Sequence, residues 1–127
     1  MDRRIQTVLS FIESDIRCAP RPAALAKEVG LSVSRLYDLF RQETGTVPGR
    51  YVRTRRFEKA KELLLTTHLT VKEVAAHVGV HDDSHFVRDF HHLFGMSPTK
   101  FRRAHENPGQ GQRPPVIGMP GTAAGNL

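Results

Sequence analysis

The chain repeats itself once. Residues 25–40 read LAKEVGLSVSRLYDLF and residues 74–90 read VAAHVGVHDDSHFVRDF. Leu25, Val29 and Gly30 recur as Val74, Val78 and Gly79, 49 residues later. Phe40, Gly45, Pro48 and Tyr51 recur as Phe90, Gly95, Pro98 and Phe101, 50 residues later. The step from 49 to 50 places one extra residue after the glycine of the second copy, near His81 to Asp83. In each copy a short segment runs through a glycine into a longer one, which is the pattern of helix, turn and helix.

The rest of the chain reads as helix around these two units. Ile5, Val8, Leu9, Ile12 and Ile16 follow one helical face, so a first helix is expected over about 2–17. Ala19-Pro20-Arg21-Pro22 breaks it, and Pro22 suits the first position of a helix over about 22–29 that ends at Gly30. Ser32 is placed to cap a helix over about 33–44, closed by Gly45. The longest helix is expected from Pro48 to Thr66, roughly 28 Å at about 1.5 Å per residue. Thr70 and Glu73 form a capping-box pattern before a helix over about 71–78. Asp82 or Asp83 can cap a helix over about 83–94, closed by Gly95, and Ser97-Pro98 opens a last helix through about His105. No segment alternates as a half-buried strand does. The expected fold is therefore all-α. Seven helices form two helix-turn-helix subdomains, about 22–45 and 70–95, joined by a long linker helix over about 48–66. Residues 1–105 make up the folded domain. Residues 106–127, rich in Gly and Pro and without hydrophobic period, read as a disordered tail.

Each copy carries its own small core. Leu25, Val29, Leu36, Leu39 and Phe40 supply the first, and Val74, Val78, Val80, Phe86, Phe90 and Leu93 the second. Ala26 and Ala75 are small enough to let helices cross closely.

Charge narrows the partners. Nineteen Lys and Arg against 13 Asp and Glu give a net charge of +6 over 127 residues, which favours polyanions. Cys18 is the one cysteine, so no internal disulfide can form, as suits a reducing cytoplasm. No apolar run approaches the ~18 residues of a membrane span, and the start, MDRRIQTVLSF, lacks the apolar core and cleavage site of a secretion signal.

A basic chain with two helix-turn-helix units points to DNA, because the second helix of such a unit enters the major groove and meets base edges. The outward positions are Ser34, Arg35, Tyr37, Asp38 and Arg41 in the first unit. In the second they are Asp83, Ser84, His85, Val87 and Arg88, with His91 beside them. Arg can pair two-pronged with guanine, Ser can bond several bases, and an apolar group can touch a thymine methyl. Asp38 either accepts from a cytosine amine or pairs with Arg35 or Arg41. Ser32, Arg50, Arg53, Arg55, His91, Lys100 and Arg102 are the candidates for phosphate contact, which gives affinity and salt dependence without sequence readout.

The stretch DDSHFVRDFHHLFGMSPTKFRRAH, residues 82–105, resembles the signature segment of the AraC/XylS family of bacterial transcription regulators. Residues 25–56, LAKEVGLSVSRLYDLFRQETGTVPGRYVRTRR, are similar to that family's first helix-turn-helix. The resemblance implies a two-lobed, seven-helix domain whose recognition helices enter successive major grooves of double-stranded DNA, so that one monomer suffices. It implies activation through RNA polymerase; no cofactor and no metal are expected. Most members carry a separate effector-binding domain; these 127 residues hold none, so the chain reads as a stand-alone member or a fragment of a longer regulator. Asp38 stands where some members have a basic contact residue, and Arg21 where a Ser-like cap is common.

Two other classes compete. His77, His81 and His85 are spaced by four, as metal-binding histidines on one helix can be, but Gly79 interrupts the helix. A helical protein-interaction module that binds no DNA would have a similar sequence. An enzyme is not expected, since no nucleophile–base constellation and no phosphate-cradling glycine loop are present.

Overall fold

A computed structural model of the chain describes residues 1–106. Its α-helices are α1 (Arg3–Ser14), α2 (Pro22–Glu28), α3 (Val33–Thr44), α4 (Pro48–Thr66), α5 (Val71–His77), α6 (Asp83–Phe94) and α7 (Pro98–Glu106), with a 3-10 turn over Ile16–Cys18. No strand occurs among the described residues. The all-helical, seven-helix reading therefore holds, and α3, α4 and α6 begin and end where their caps and prolines place them. Glu106 belongs to α7, and the rest of the expected tail, residues 107–127, lies outside the described residues.

One helix is shorter than its apolar face suggests. Asp15 leaves the helical region (φ −155°, ψ 88°) and its carboxylate accepts the Arg17 N–H at 3.2 Å. This side-chain bond satisfies the backbone locally, ends α1 at Ser14 and starts the 3-10 turn. Ile16 is carried on that turn, half-buried against the core.

The chain folds as two compact units. The first holds Met1–Lys59 with His77–Gly79, and the second holds Ala60–Ala76 with the described residues from Val80 onward. In the first unit, Ile5, Val8 and Ile12 of α1 pack with Leu25 and Ala26 of α2 and with Leu36, Leu39 and Phe40 of α3. The Phe40 ring meets Tyr51 edge-on at 5.7 Å. In the second unit, Ala60, Leu64, Val74, Ala75, Phe86, Phe90 and Phe101 are buried. Phe90 is its hub, with ring centroids 6.0 Å from Phe86, 4.7 Å from Phe94 and 5.7 Å from Phe101. Lys61 lays its ammonium over Phe94 at 4.4 Å, a cation–π contact that covers the ring edge of this core.

Two expected core residues of the second copy are displaced. Leu93 is 40% exposed and Val80 only half-buried. The aromatic stripe Phe86–Phe90–Phe94, spaced by four, takes the inward face of α6. Leu93 stands about 100° away from its neighbour Phe94.

The helix ends follow their local chemistry. Ser32 accepts the Arg35 N–H at 3.1 Å, and Asp82, not Asp83, accepts the His85 N–H at 3.0 Å. Thr70 and Glu73 close the capping box reciprocally, at 2.8 and 3.1 Å. Arg21 precedes α2 without any side-chain cap, which Pro22 makes tolerable because proline has no N–H to satisfy.

Candidate nucleic-acid interface

The two capped helices that follow the glycine turns, α3 and α6, each bury one stripe and present the opposite one. At 100° per residue, Ser84, His85, Arg88, His91 and His92 lie within about 60° of Arg88, while Phe86 and Phe90 point the other way. All five are exposed and both phenylalanines are fully buried. In α3 the matching stripe is Ser34, Arg35, Asp38, Arg41 and Gln42, again all exposed, opposite buried Leu36, Leu39 and Phe40. Gln42 and His92 stand on these faces beyond the residues that the sequence assigns to DNA. Their signal is the spacing of seven from Arg35 and His85, which places them on the same faces.

The remaining base-facing candidates divide. Val87 (38% exposed) and Asp83 are solvent-accessible on α6, whereas Tyr37 is half-buried on α3. Asp38 forms no ion pair among the described residues, so the pairing with Arg35 or Arg41 is absent. On α6, Arg88 Nε lies 3.8 Å from Asp89 Oδ1, a loose pair on a helix surface. Asp82 carries the cap, and the His85 backbone N–H it accepts holds its carboxyl below the ordinary aspartate range.

Among the phosphate candidates the structure separates available cations from committed ones. Arg50 and Lys100 are exposed, as is His91. The Ser32 hydroxyl already accepts the Arg35 N–H as the α3 cap. Arg53 lies with its guanidinium 5.6 Å from the Phe57 ring centroid. Arg55 and Arg102 already have partners within the protein. Arg55 donates to Glu13 from Nε at 2.7 Å and Nη2 at 3.1 Å, and to Glu58 from Nη1 at 2.6 Å. The two carboxylates push its pKa up, and Arg55 with Tyr51 holds Glu13 below the ordinary glutamate range. Arg102 donates to the backbone carbonyls of Leu64 and Thr67, at the end of α4. Both guanidiniums thus hold separate parts of the fold together. Arg56, from the same basic run, likewise donates to the Ile16 and Arg17 carbonyls.

Among the described residues, no three His, Cys, Asp or Glu side chains converge to hold a metal. Two hollows measure about 250 and 200 Å³, the larger lined by Pro20, Pro22, Pro48, Val52 and Arg56. No helix of the described residues is long and apolar enough to cross a membrane.

With this geometry in place, the likeness to known proteins is specific. Residues 25–104 match a family described as "Helix-turn-helix domain". The arabinose operon regulatory protein of Escherichia coli is 35% identical over 107 residues, covering 84% of this chain and 37% of that protein. The chain spans about 37% of the length of the curated relatives it matches. An AraC-type transcriptional regulator of Chromobacterium violaceum superposes with a TM-score of 0.76 at 27% identity, over 84% of this chain and 95% of that one. The DNA-binding domain of the global transcriptional factor AdpA, solved in complex with a target DNA, gives a TM-score of 0.77 at 25% identity, over 87% of this chain and all of that one. The match across both copies, from the first glycine turn to the last helix, places this chain in the AraC/XylS family of helix-turn-helix transcription regulators.

Proposed function

We propose that residues 1–105 form one DNA-binding domain of a sequence-specific transcription regulator, with α3 and α6 as its recognition helices in successive major grooves. The observation that carries the reading is the doubled stripe. Two helices, each capped at its start by Ser32 or Asp82, hold a polar face directly opposite a buried apolar one, on a chain of net charge +6. A helix that buries one stripe and leaves guanidinium, hydroxyl and imidazole groups standing from the other offers the donors that guanine and phosphate accept. In this reading Ser34, Arg35, Tyr37, Asp38, Arg41, Asp83, Ser84, His85, Val87 and Arg88 meet base edges. Arg50, Arg53, His91 and Lys100 meet phosphates. The domain binds rather than catalyses, acts as a monomer on DNA, and activates transcription by contact with RNA polymerase.

Selection of bound sequences from a random duplex library tests this directly. The result expected is enrichment of a bipartite site whose halves lie about one helical turn apart, protected over two adjacent turns. Affinity falls steeply with salt, by roughly 0.9 in log-log slope for each phosphate neutralised. Equal binding to every sequence would remove the specific-regulator reading.

A further inference from the structure

All seven histidines of the chain lie between residues 68 and 105, and none lies in residues 1–67. Three of them stand on the outward stripe of α6. Superposed by the 50-residue repeat, His85 takes the place of Arg35, His91 that of Arg41, and His92 that of Gln42. Where the first copy carries two guanidiniums whose charge is permanent, the second carries imidazoles. Histidine is the side chain whose ordinary titration falls between pH 5 and 8. The two copies thus present equivalent faces with different charge behaviour.

We propose that His85, His91 and His92 take up protons when α6 contacts DNA, so that the second copy's hold on the duplex is set by pH while the first copy's is not. The inference rests on α6 being a DNA-facing helix. A phosphate oxygen or a base-edge acceptor beside an imidazole favours its charged form, and binding that favours a protonated group strengthens as protons become available.

The surroundings permit this. All three side chains are exposed. On α6 itself the charged groups nearby are Asp82, Asp83, Arg88 and Asp89. Asp82 Oδ2 lies 3.7 Å from His85 Nδ1, and Arg88 stands one turn from both His85 and His91. Several charged groups on the neighbouring elements have partners of their own. From α4, Lys61 sits over the Phe94 ring. From α7, Arg102 is turned to the Leu64 and Thr67 carbonyls and His105 Nδ1 to the Phe101 carbonyl, while Lys100 and Arg103 are exposed. From α5, Glu73 folds back onto the Thr70 N–H, and Lys72 and His77 are exposed. Among the described residues no charged side chain is buried.

The test uses the whole chain and a duplex recovered by selection from a random-sequence library, with affinity measured at pH 8 and pH 6 at constant ionic strength. If each bound histidine is raised by one unit, each contributes about a sixfold tightening over that interval. The unmodified chain is expected to bind at least tenfold more tightly at pH 6. The variant H85Q/H91Q/H92Q should change by less than about twofold. The variant R35Q/R41Q should bind more weakly at both values with the pH dependence retained. Affinity of the unmodified chain that does not change with pH, or a dependence that survives in the histidine variant, overturns the proposal and leaves the DNA-binding reading standing. Absence of binding to any duplex at either pH removes that reading and the proposal with it. Calorimetry of the unmodified chain in buffers of different ionisation enthalpy reads the same linkage without a substitution: uptake of about one proton or more per complex near pH 7 supports it, and no uptake overturns it.

Discussion

Arg102 Nε lies 3.0 Å from the carbonyl oxygen of Leu64, and its Nη2 lies 3.3 Å from that of Thr67. The last carbonyls of a helix have no partner within it, and here a guanidinium from α7 supplies one to α4. Arg56 does the same for the end of the first helical segment, at 2.9 Å from Ile16 O and 3.2 Å from Arg17 O. Replacing Arg102 by Ala should therefore lower stability by about 1–2 kcal/mol, the scale of a charged hydrogen bond in a half-buried setting. Urea denaturation measures the loss. The salt dependence of DNA binding should stay as it is, and a reduced slope would return Arg102 to the phosphate contacts.

These arginines mark the limit of what the sequence makes legible. The helix ends are local events: Ser32, the Thr70–Glu73 box, Gly45 and Gly95 act over three or four residues, so α3, α4 and α6 can be bounded from the chain alone. The outward face of α6 is legible for the same reason, because period and burial determine it together. Which cations are available is not. Arg55 meets Glu13 across 42 residues, Arg56 meets Ile16 across 40 and Arg102 meets Leu64 across 38. Each sits in a basic run that looks uniform until tertiary contacts single it out. Asp15 and Leu93 fail differently: an apolar pattern continues past a point where one side chain has a better local bond or a better-placed neighbour.

The Glu13–Arg55 pair predicts an acid-side contribution to stability. Arg55 first, and then Tyr51 through its hydroxyl at 2.9 Å, hold the Glu13 carboxyl below its ordinary value of 4.5. A depressed folded value means the contribution is fully present above the ordinary value and is lost as pH falls through the lower one. Glu13→Gln should lower stability at pH 6–7 and converge with the unmodified chain at the acid end. The pair is about a third exposed, so solvent screening keeps the difference to no more than about 1 kcal/mol. Thermal melts from pH 3 to 7 read it, and a constant offset at every pH would mean that Glu13 acts through packing instead.

Gly79 and Gly30 close corresponding turns but should respond unequally to substitution. Both have positive φ, 87° and 72°, which costs an L-residue about 1–2 kcal/mol. A Cβ on Gly30 would meet nothing within 4 Å, whereas one on Gly79 would stand 2.5 Å from the Arg17 carbonyl oxygen. Gly30→Ala should cost only the backbone strain. Gly79→Ala should cost clearly more, because backbone on both sides must shift. Equal losses in parallel denaturation curves would show that the turn relaxes freely around Arg17.

Neighbouring apolar residues of α6 differ in the same way. Phe90 is fully buried and touches three other rings, so Phe90→Ala should cost about 3–5 kcal/mol. Leu93, at 40% exposure, should cost less than about 1 kcal/mol when cut to Ala. A loss near that of Phe90 at position 93 would put Leu93 back in the core of the second copy.

The division of the basic residues gives the sharpest test of the interface. Arg88 stands at the centre of the outward stripe of α6, and a two-pronged contact to guanine is worth about 1–3 kcal/mol of discrimination. Arg88→Ala should weaken binding to a selected duplex by that amount and relax the preference at one base pair. Arg50 is exposed near the start of α4, so Arg50→Ala should weaken binding to all sequences alike and lower the salt slope by about 0.9. Arg55→Ala, which removes the partner of Glu13 and Glu58, should reduce stability while leaving slope and preference unchanged. Fluorescence titrations over 50–300 mM salt with the selected duplex and single-base variants separate the three behaviours. If Arg55→Ala lowers the slope as Arg50→Ala does, Arg55 exchanges its carboxylates for phosphate on binding, and its commitment to the fold ends at the DNA.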